Sequence, residues 1–218
     1  TVSANTTSGF SIVAYTGTGS NATVGHGLGA VPKAIIIKEL NPASTRFWRV
    51  YYESMGNDKV MYLDVNNTSA TDSTAFNSTT PTSSLFTIGT YDNINKLNNS
   101  YIAYLWHNVP GLQKFGEYKG ADTNGAIGHF VETGFRPAFL IVKKHDGTDG
   151  GVIMDSEYQK INPMRRQLRP NETGPYSDEY DAFSVDFYSN GFRVYGSTGQ
   201  MNEYNKNFVY MAWAEAPA

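Results

Sequence analysis

The chain has 218 residues, with 17 Lys+Arg against 20 Asp+Glu and a formal net charge of −3. That balance leaves no surplus of cations to neutralise phosphates, which argues against nucleic acid as a partner. No apolar run approaches the roughly 20 residues of a bilayer span, which argues against membrane insertion, and the start shows no basic region leading into an apolar stretch, so the sequence reads as a soluble chain.

The absence of cysteine excludes disulfides, thiolate metal sites and a Cys nucleophile, so the fold stands on packing alone. Aromatic residues make up 14% of the chain and charged residues only 17%, with abundant Gly, Ser, Thr and Asn, a combination that favours strands and turns.

In chain order the strand signals are "FSIVAYT" from Phe10, "KAIIIKEL" from Lys33, "RFWRVYYE" from Arg46, "VMYLDV" from Val60, "SLFTIGTY" from Ser84 and "YIAYLWH" from Tyr101. The tract from Asn66 to Ser84 is small and polar apart from Phe76, and reads as a surface loop tied down by that ring. After the Pro110-Gly111 punctuation come "AFLIVKK", "GVIMD", "AFSVDFY", "FRVYG" and "NFVYMAWAEA". Ser189-Asn190-Gly191 predicts a type I′ hairpin turn, because Asn-Gly accepts positive φ angles. The stretch "INPMRRQLRP" from Ile161 is the one place for a helical turn, kept short by Pro163 and Pro170.

Two phrases are nearly the same: "GLGAVPKAIIIK" from Gly27 and "TGFRPAFLIVKK" from Thr133. Tyr15-Thr16-Gly17 likewise answers to Tyr118-Lys119-Gly120, and "YIAYLWHNVP" to "FVYMAWAEAP", all in the same order at nearly constant spacing. The sequence therefore predicts an all-β protein of two homologous antiparallel β-sandwich units, jelly-roll-like, from an internal duplication. The units expected are residues 1–111 and 112–218. Trp106 and Trp213, at matched positions, are each expected in a core, with Trp48 more exposed. In each repeated phrase the apolar run enters a buried sheet and Lys38 or Lys143 emerges at its end.

Few residues of the sequence carry a pattern that points to chemistry. His26, His107, His129 and His145 lie far apart without metal-ligand spacing, and read as polar residues at strand ends. "DGTDGG" from Asp146 lacks the terminal Glu of a calcium loop and reads as a hairpin turn. Asp155, Glu157, Asp178, Glu179 and Asp181 leave a carboxylate pair for glycoside hydrolysis open. No catalytic residue, metal site or cofactor is expected. The candidate ligand-binding residues are Arg165, Arg166 and Arg169, just before a loop with Tyr176, Asp178 and Tyr180, because guanidinium forks, aromatic faces and carboxylates are what glycan sites use.

The wording "GFSIVAYTGTGSNATVGHGLGAVPKAIIIK", the Ser/Thr-rich tract and "YIAYLWHNVPG", with "FGEYKG", "TGFRPAFLIVKK", "NGF" and "YMAWAEAP" in the second half, resembles a repeat domain of tail-fibre and other tail-associated proteins of tailed bacteriophages. The resemblance covers nearly the whole chain. It implies a non-enzymatic virion component of the tail that contributes to host attachment, with a host cell-surface glycan or protein receptor and other tail proteins as partners, and trimeric assembly. A polysaccharide-degrading tail enzyme and a purely structural fibre subunit are the alternatives.

Overall fold

The computed structural model describes residues 1–42, 46–121, 128–172, 183–196 and 199–215. The chain is all-β with antiparallel sheets, and it divides into two compact units, 1–63 with 69–109 and 64–68 with 110–218. The division thus falls two residues before the expected cut after Gly111.

The first unit contains β1 (Val2–Asn5), β2 (Phe10–Thr16), β3 (Ala22–Gly25), β4 (Ala34–Glu39), β5 (Arg49–Tyr52), β6 (Lys59–Tyr62), β7 (Ala70–Thr71), β8 (Leu85–Ile88) and β9 (Ser100–Trp106), with short helices α1 (Ser73–Phe76) and α2 (Asp92–Asn95). One sheet has the order β1-β2-β9-β4-β5-β6-β7, and β3 and β8 form a second. The second unit contains β10 (Gln113–Lys119), β11 (His129–Glu132), β12 (Pro137–Lys144), β13 (Val152–Asp155), β14 (Phe183–Tyr188), β15 (Gly191–Gly196) and β16 (Asn207–Ala214). Its sheets have the orders β10-β16-β12-β13 and β11-β15-β14.

Period-2 alternation sends one face of each strand inward. In the first unit Val13, Ile35, Ile37, Tyr51, Tyr101, Ala103 and Leu105 of the large sheet meet Phe86 and Ile88 of the small one. In the second, Leu140, Val142, Phe208, Tyr210 and Ala212 meet Val131, Val185, Phe187, Phe192 and Val194. Each unit is thus sandwich-like, two sheets over one core. Phe76 is buried in the first core, and Asp72 caps its short helix by accepting from the Thr74 N–H at 2.9 Å.

The positions that pair in one unit correspond to positions that pair in the other. Tyr15 faces Tyr101 where Tyr118 faces Phe208, Ala34 faces Trp106 where Phe139 faces Trp213, and Val24 faces Phe86 where Val131 faces Phe192.

The correspondence extends to buried polar groups. Tyr15 donates its hydroxyl to the Ile94 carbonyl at 2.7 Å, and Tyr118 donates to that of Met201 at 2.6 Å. The next residue in each case is a buried Asn. Asn95 Oδ1 accepts from the Thr18 N–H at 2.7 Å and its Nδ2 donates to Ser20 O and Gly89 O; Asn202 Oδ1 accepts from the Ala121 N–H at 3.0 Å and its Nδ2 donates to Gly196 O. The Gly17 N–H donates to Asn99 O and the Gly120 N–H to Lys206 O, both at 2.8 Å. A Cβ on Gly17 would overlap the Lys96 carbonyl, and one on Gly120 that of Glu203, so glycine is required at this approach.

Several expectations need correction. Trp106 and Trp213 do not lie in the cores: period 2 places them on the opposite face of their sheets, where both are half-buried. Trp106 stacks on Phe10 at 5.0 Å, and Trp213 meets Phe115 edge-on at 5.4 Å. Trp48 is half-buried as well. The inward aromatics of these strands are Tyr101, Phe208 and Tyr210. Lys143 does not emerge: it is buried, its ammonium donates to Val65 O and Asp149 O, and burial pushes its pKa down to about 8. The hairpin joining β14 and β15 has a two-residue turn, Ser189-Asn190, and neither these residues nor Gly191 has a positive φ, so the turn is not type I′. No helical turn forms after Ile161. Met164 instead bridges Val185, and Leu168 bridges Ile153.

Two stability predictions follow from this packing. Phe208→Ala should cost about 3–5 kcal/mol as a cavity in a packed core, and Trp213→Ala clearly less; melting curves that reverse this order would put Trp213 in the core after all. Asn95→Ala and Asn202→Ala should each cost on the order of 3 kcal/mol, since their backbone partners lose hydrogen bonds in a buried site. Asn95→Asp should be no milder, because it keeps the acceptor but turns a second acceptor toward Ser20 O and Gly89 O.

Candidate functional site

The segment between β13 and β14 departs most from the first unit. Its described part runs across the open edges of both sheets of the second unit. Leu168 exchanges two backbone hydrogen bonds with Ile153 of β13, at 2.8 and 2.9 Å, and Met164 does the same with Val185 of β14. Asn162 adds a further pair: its Nδ2 donates to Phe187 O and its Oδ1 accepts from the Phe187 N–H, both at 3.0 Å. Both edges are thereby closed by a segment with two prolines, which suits an edge better than a sheet interior.

Between these anchors the chain makes a compact loop. Gln159 Oε1 accepts from the backbone N–H groups of Arg165 and Arg166, at 2.8 and 3.0 Å, and its Nε2 donates to Pro163 O. The loop borders a depression of about 560 Å³ lined by Tyr158 through Pro163 with Arg165 and Arg166. The Arg166 guanidinium lies 5.2 Å from the centre of the Tyr158 ring, and Ile161 stands 75% exposed.

The expected binding residues divide three ways. Arg165 and Arg166 share the rim of this depression. Arg169 does not join them: it is half-buried, donating to Glu172 at 2.8 Å and to Gln200 at 3.2 Å. Tyr176, Asp178 and Tyr180 lie outside the described residues, as do Glu179 and Asp181. The remaining carboxylates of that group are used locally, since Asp155 accepts from the Glu157 N–H and Glu157 pairs with Lys160 at 3.3 Å.

A second depression, of about 370 Å³, shares the wall made by Asn162 and Pro163 and is completed by Ser184, Asp186 and Tyr195. It opens on the outer face of β11-β15-β14, where Phe130 stands opposite Arg193 and Asp186 stands opposite Arg193 on its other side. Arg193 lies 5.8 Å from the Phe130 ring centre and 5.9 Å from that of Tyr188. The Tyr188 hydroxyl donates to Asp186 Oδ2 at 3.2 Å and lies 3.1 Å from the Tyr195 hydroxyl. The hydrogen bond to Tyr195, followed by desolvation and the Asp186 charge, pushes the Tyr188 pKa up to about 12. Gly128 lies beneath: a Cβ there would come within 2.8 Å of Arg193 and of Tyr195.

None of Phe130, Asp186, Tyr188, Arg193 or Tyr195 was singled out from sequence. The signal was present in form, since "VDFYSNGFRVYG" alternates apolar with polar or aromatic residues. Which phase faced solvent needed the sheet partner.

The histidines are occupied separately. His26 is buried, its Nδ1 accepts from the Leu28 N–H at 3.2 Å, and its Nε2 lies 3.2 Å from Thr82 O, which fixes the neutral Nε2–H tautomer; burial lowers its pKa. His129 stacks on Tyr118 and His145 lies 3.3 Å from Glu117. Asp146 accepts from the backbone and side chain of Asn207, and Asp149 pairs with Lys144, so the turn carboxylates do not converge. Among the described residues no group of three His, Asp or Glu side chains is placed to hold a metal.

No curated protein and no solved structure matches the chain. One family model, of a domain of unknown function designated DUF7483, matches residues 1–217 and so spans both units, and the chain belongs to that family.

Proposed function

We propose that this protein is a non-enzymatic recognition module of a bacteriophage tail, with a host cell-surface glycan or protein receptor as its partner. The resemblance of its repeated wording to tail-fibre repeat domains supplies the setting. In the same reading its two units are jelly-roll-like sandwiches derived from one ancestral unit. The nested strand order supports this, because in each unit the first strand of the repeat pairs with the last and the second with the last but one: β2 with β9 and β3 with β8, β10 with β16 and β11 with β15. So does the recurrence of the Tyr, Gly and Asn hydrogen bonds at corresponding positions. Trimeric assembly and contacts with other tail proteins belong to the same proposal, as does residence in the virion.

The observation that carries the reading is the pair of shallow depressions sharing the Asn162-Pro163 wall, bordered by Tyr158, Arg165, Arg166, Asp186 and Tyr195. Aromatic faces, guanidinium forks and a carboxylate on an open surface suit weak contacts to a repeating polymer, with affinity built from several copies. At the corresponding register of the first unit Thr23 faces Thr87 where Phe130 faces Arg193, so that pair offers neither ring nor guanidinium.

Replacing Arg165 and Arg166 together by Ala should leave the melting temperature nearly unchanged, because their backbone N–H groups, which Gln159 holds, remain. Attachment of the labelled chain to host cells should fall, and the residual binding should depend less on salt than that of the parent. Undiminished attachment with the same salt dependence would remove the arginines from the recognition surface.

A further inference from the structure

We propose that the depression between Asn162-Pro163 and the outer face of β14-β15 is a binding site for a neutral pyranose ring, with Asp186, Tyr195 and Ser184 as its polar contacts. The proposal deepens the recognition reading above and rests on it for the biological setting, but the site itself is argued from the local chemistry.

Tyr188 has one hydroxyl proton, which it donates to Asp186 Oδ2. The 3.1 Å contact between the two phenols must then use the Tyr195 proton, donated to Tyr188. The chain of donation runs Tyr195 to Tyr188 to Asp186, and it leaves the lone pairs of Tyr195 facing outward as acceptors. Among the described residues Asp186 Oδ1 is buried and has no hydrogen-bond partner, and its carboxylate helps to line the depression. An unpaired carboxylate oxygen in a partly desolvated site is a costly feature unless something donates to it.

Arg193 does not satisfy it. The two residues stand opposite each other in the ladder, yet they form no ion pair within 4.0 Å, and the guanidinium lies instead over Phe130 and Tyr188. The aromatic rings hold the cation to one side and leave the carboxylate to the depression. Asn162 is oriented by its two bonds to Phe187, and it serves as a fixed wall with one N–H and one lone pair of its amide left over.

The site thus presents two acceptors, Asp186 and Tyr195, two groups of either sense, the Ser184 hydroxyl and the remainder of the Asn162 amide, and two apolar surfaces, the Tyr195 ring and Pro163. Donors in the ligand must outnumber its acceptors, and it must carry an apolar face. A neutral sugar ring has both properties: hydroxyls that donate to the carboxylate, and a C–H face that packs on an aromatic ring. A uronic acid meets Asp186 as a like charge and is disfavoured.

Titration of the 15N-labelled chain with free glucose, galactose and mannose, and with glucuronic acid as the acidic counterpart, reads this directly. At least one neutral hexose should give saturable shifts confined to amides of residues 184–195 and 162–164, while glucuronic acid gives none there. Asp186→Asn and Tyr195→Phe preserve shape and folding and should each weaken that hexose about tenfold, as loss of one charge-assisted or one well-placed hydrogen bond does. Thr87→Ala, at the position of the first unit that corresponds to Arg193, should change nothing. No saturable shifts at these amides, binding of glucuronic acid in preference, or full affinity in both variants would each overturn the site. If these amides fail to shift while the chain still attaches to host cells, only the site is wrong. Loss of host attachment with the hexose site intact would instead count against the tail-recognition reading.

Discussion

The strand inserted between two others in each main sheet is the last to be made, and the core face of the sheet depends on its placement. β9 lies between β2 and β4, and β16 between β10 and β12. Phe10 pairs with Trp106 and Gln113 with Trp213, separations of 96 and 100 residues along the chain. Until that strand arrives, β2 and β4 have no common neighbour and the core face of the sheet is incomplete. Closure over so long a span is intrinsically slow, and it leaves strand edges open while it waits.

A strand inserted between two others must also take the right register, since a slip of one residue would turn Tyr101, Ala103 and Leu105 out of the core. The buried asparagines lie where they can prevent this. Asn95 and Asn202 each precede the central strand by a few residues and are fixed to the turn that follows the first strand. The adjoining backbone bonds, Gly17 to Asn99 and Gly120 to Lys206, tie the approach of the last strand to the end of the first. Asn98 and Asn205, both with φ near +60°, turn the chain between the two ties. A side-chain amide satisfied at both ends in a low-dielectric site specifies one arrangement and penalises others more sharply than apolar packing does. The same device at corresponding positions explains why both units hold the same register despite very different loops.

Much of the scaffold was legible because strand composition and turn residues are local signals. The run at Phe10 gives the bounds of β2, and the runs at Tyr101 and Asn207 locate the central strands. What failed were inferences about sides. Trp106 and Trp213 are large, apolar and matched, yet each is one residue out of phase with the inward Leu105 and Ala212, and only the sheet partner decides which phase is buried. Lys143 was read as emerging because lysines at strand ends usually do, but Val65 and Asp149 supply carbonyls that receive it. Four short strands, β1, β3, β7 and β11, carry too few residues for a pattern, and in β10 the charged residues and Gly116 of "QKFGEYK" obscure the alternation. The candidate arginines form a cluster in sequence, and the fold separates Arg169 from the other two by giving it Glu172.

The asymmetry between the units has a physical source in the small sheet. In the first unit this sheet has two strands, and its outer positions are Thr23 opposite Thr87 and Gly25 opposite Leu85, with no aromatic ring or guanidinium among them. The second unit adds β14, and the third strand turns a narrow ribbon into a surface wide enough for Asp186, Tyr188, Arg193, Tyr195 and Phe130 to stand side by side. Adding a strand also creates a new edge, and the same segment that closes that edge supplies Asn162 and Pro163 as the wall of the depression. Edge protection and formation of the depression are therefore one structural event. Because the wall is held by backbone pairing to β13 and β14, its geometry is set before any ligand arrives, and binding there need not bear the entropy of ordering a loop. A weak-binding surface used in many copies gains most from such preorganisation, since the ordering cost would otherwise recur at every contact.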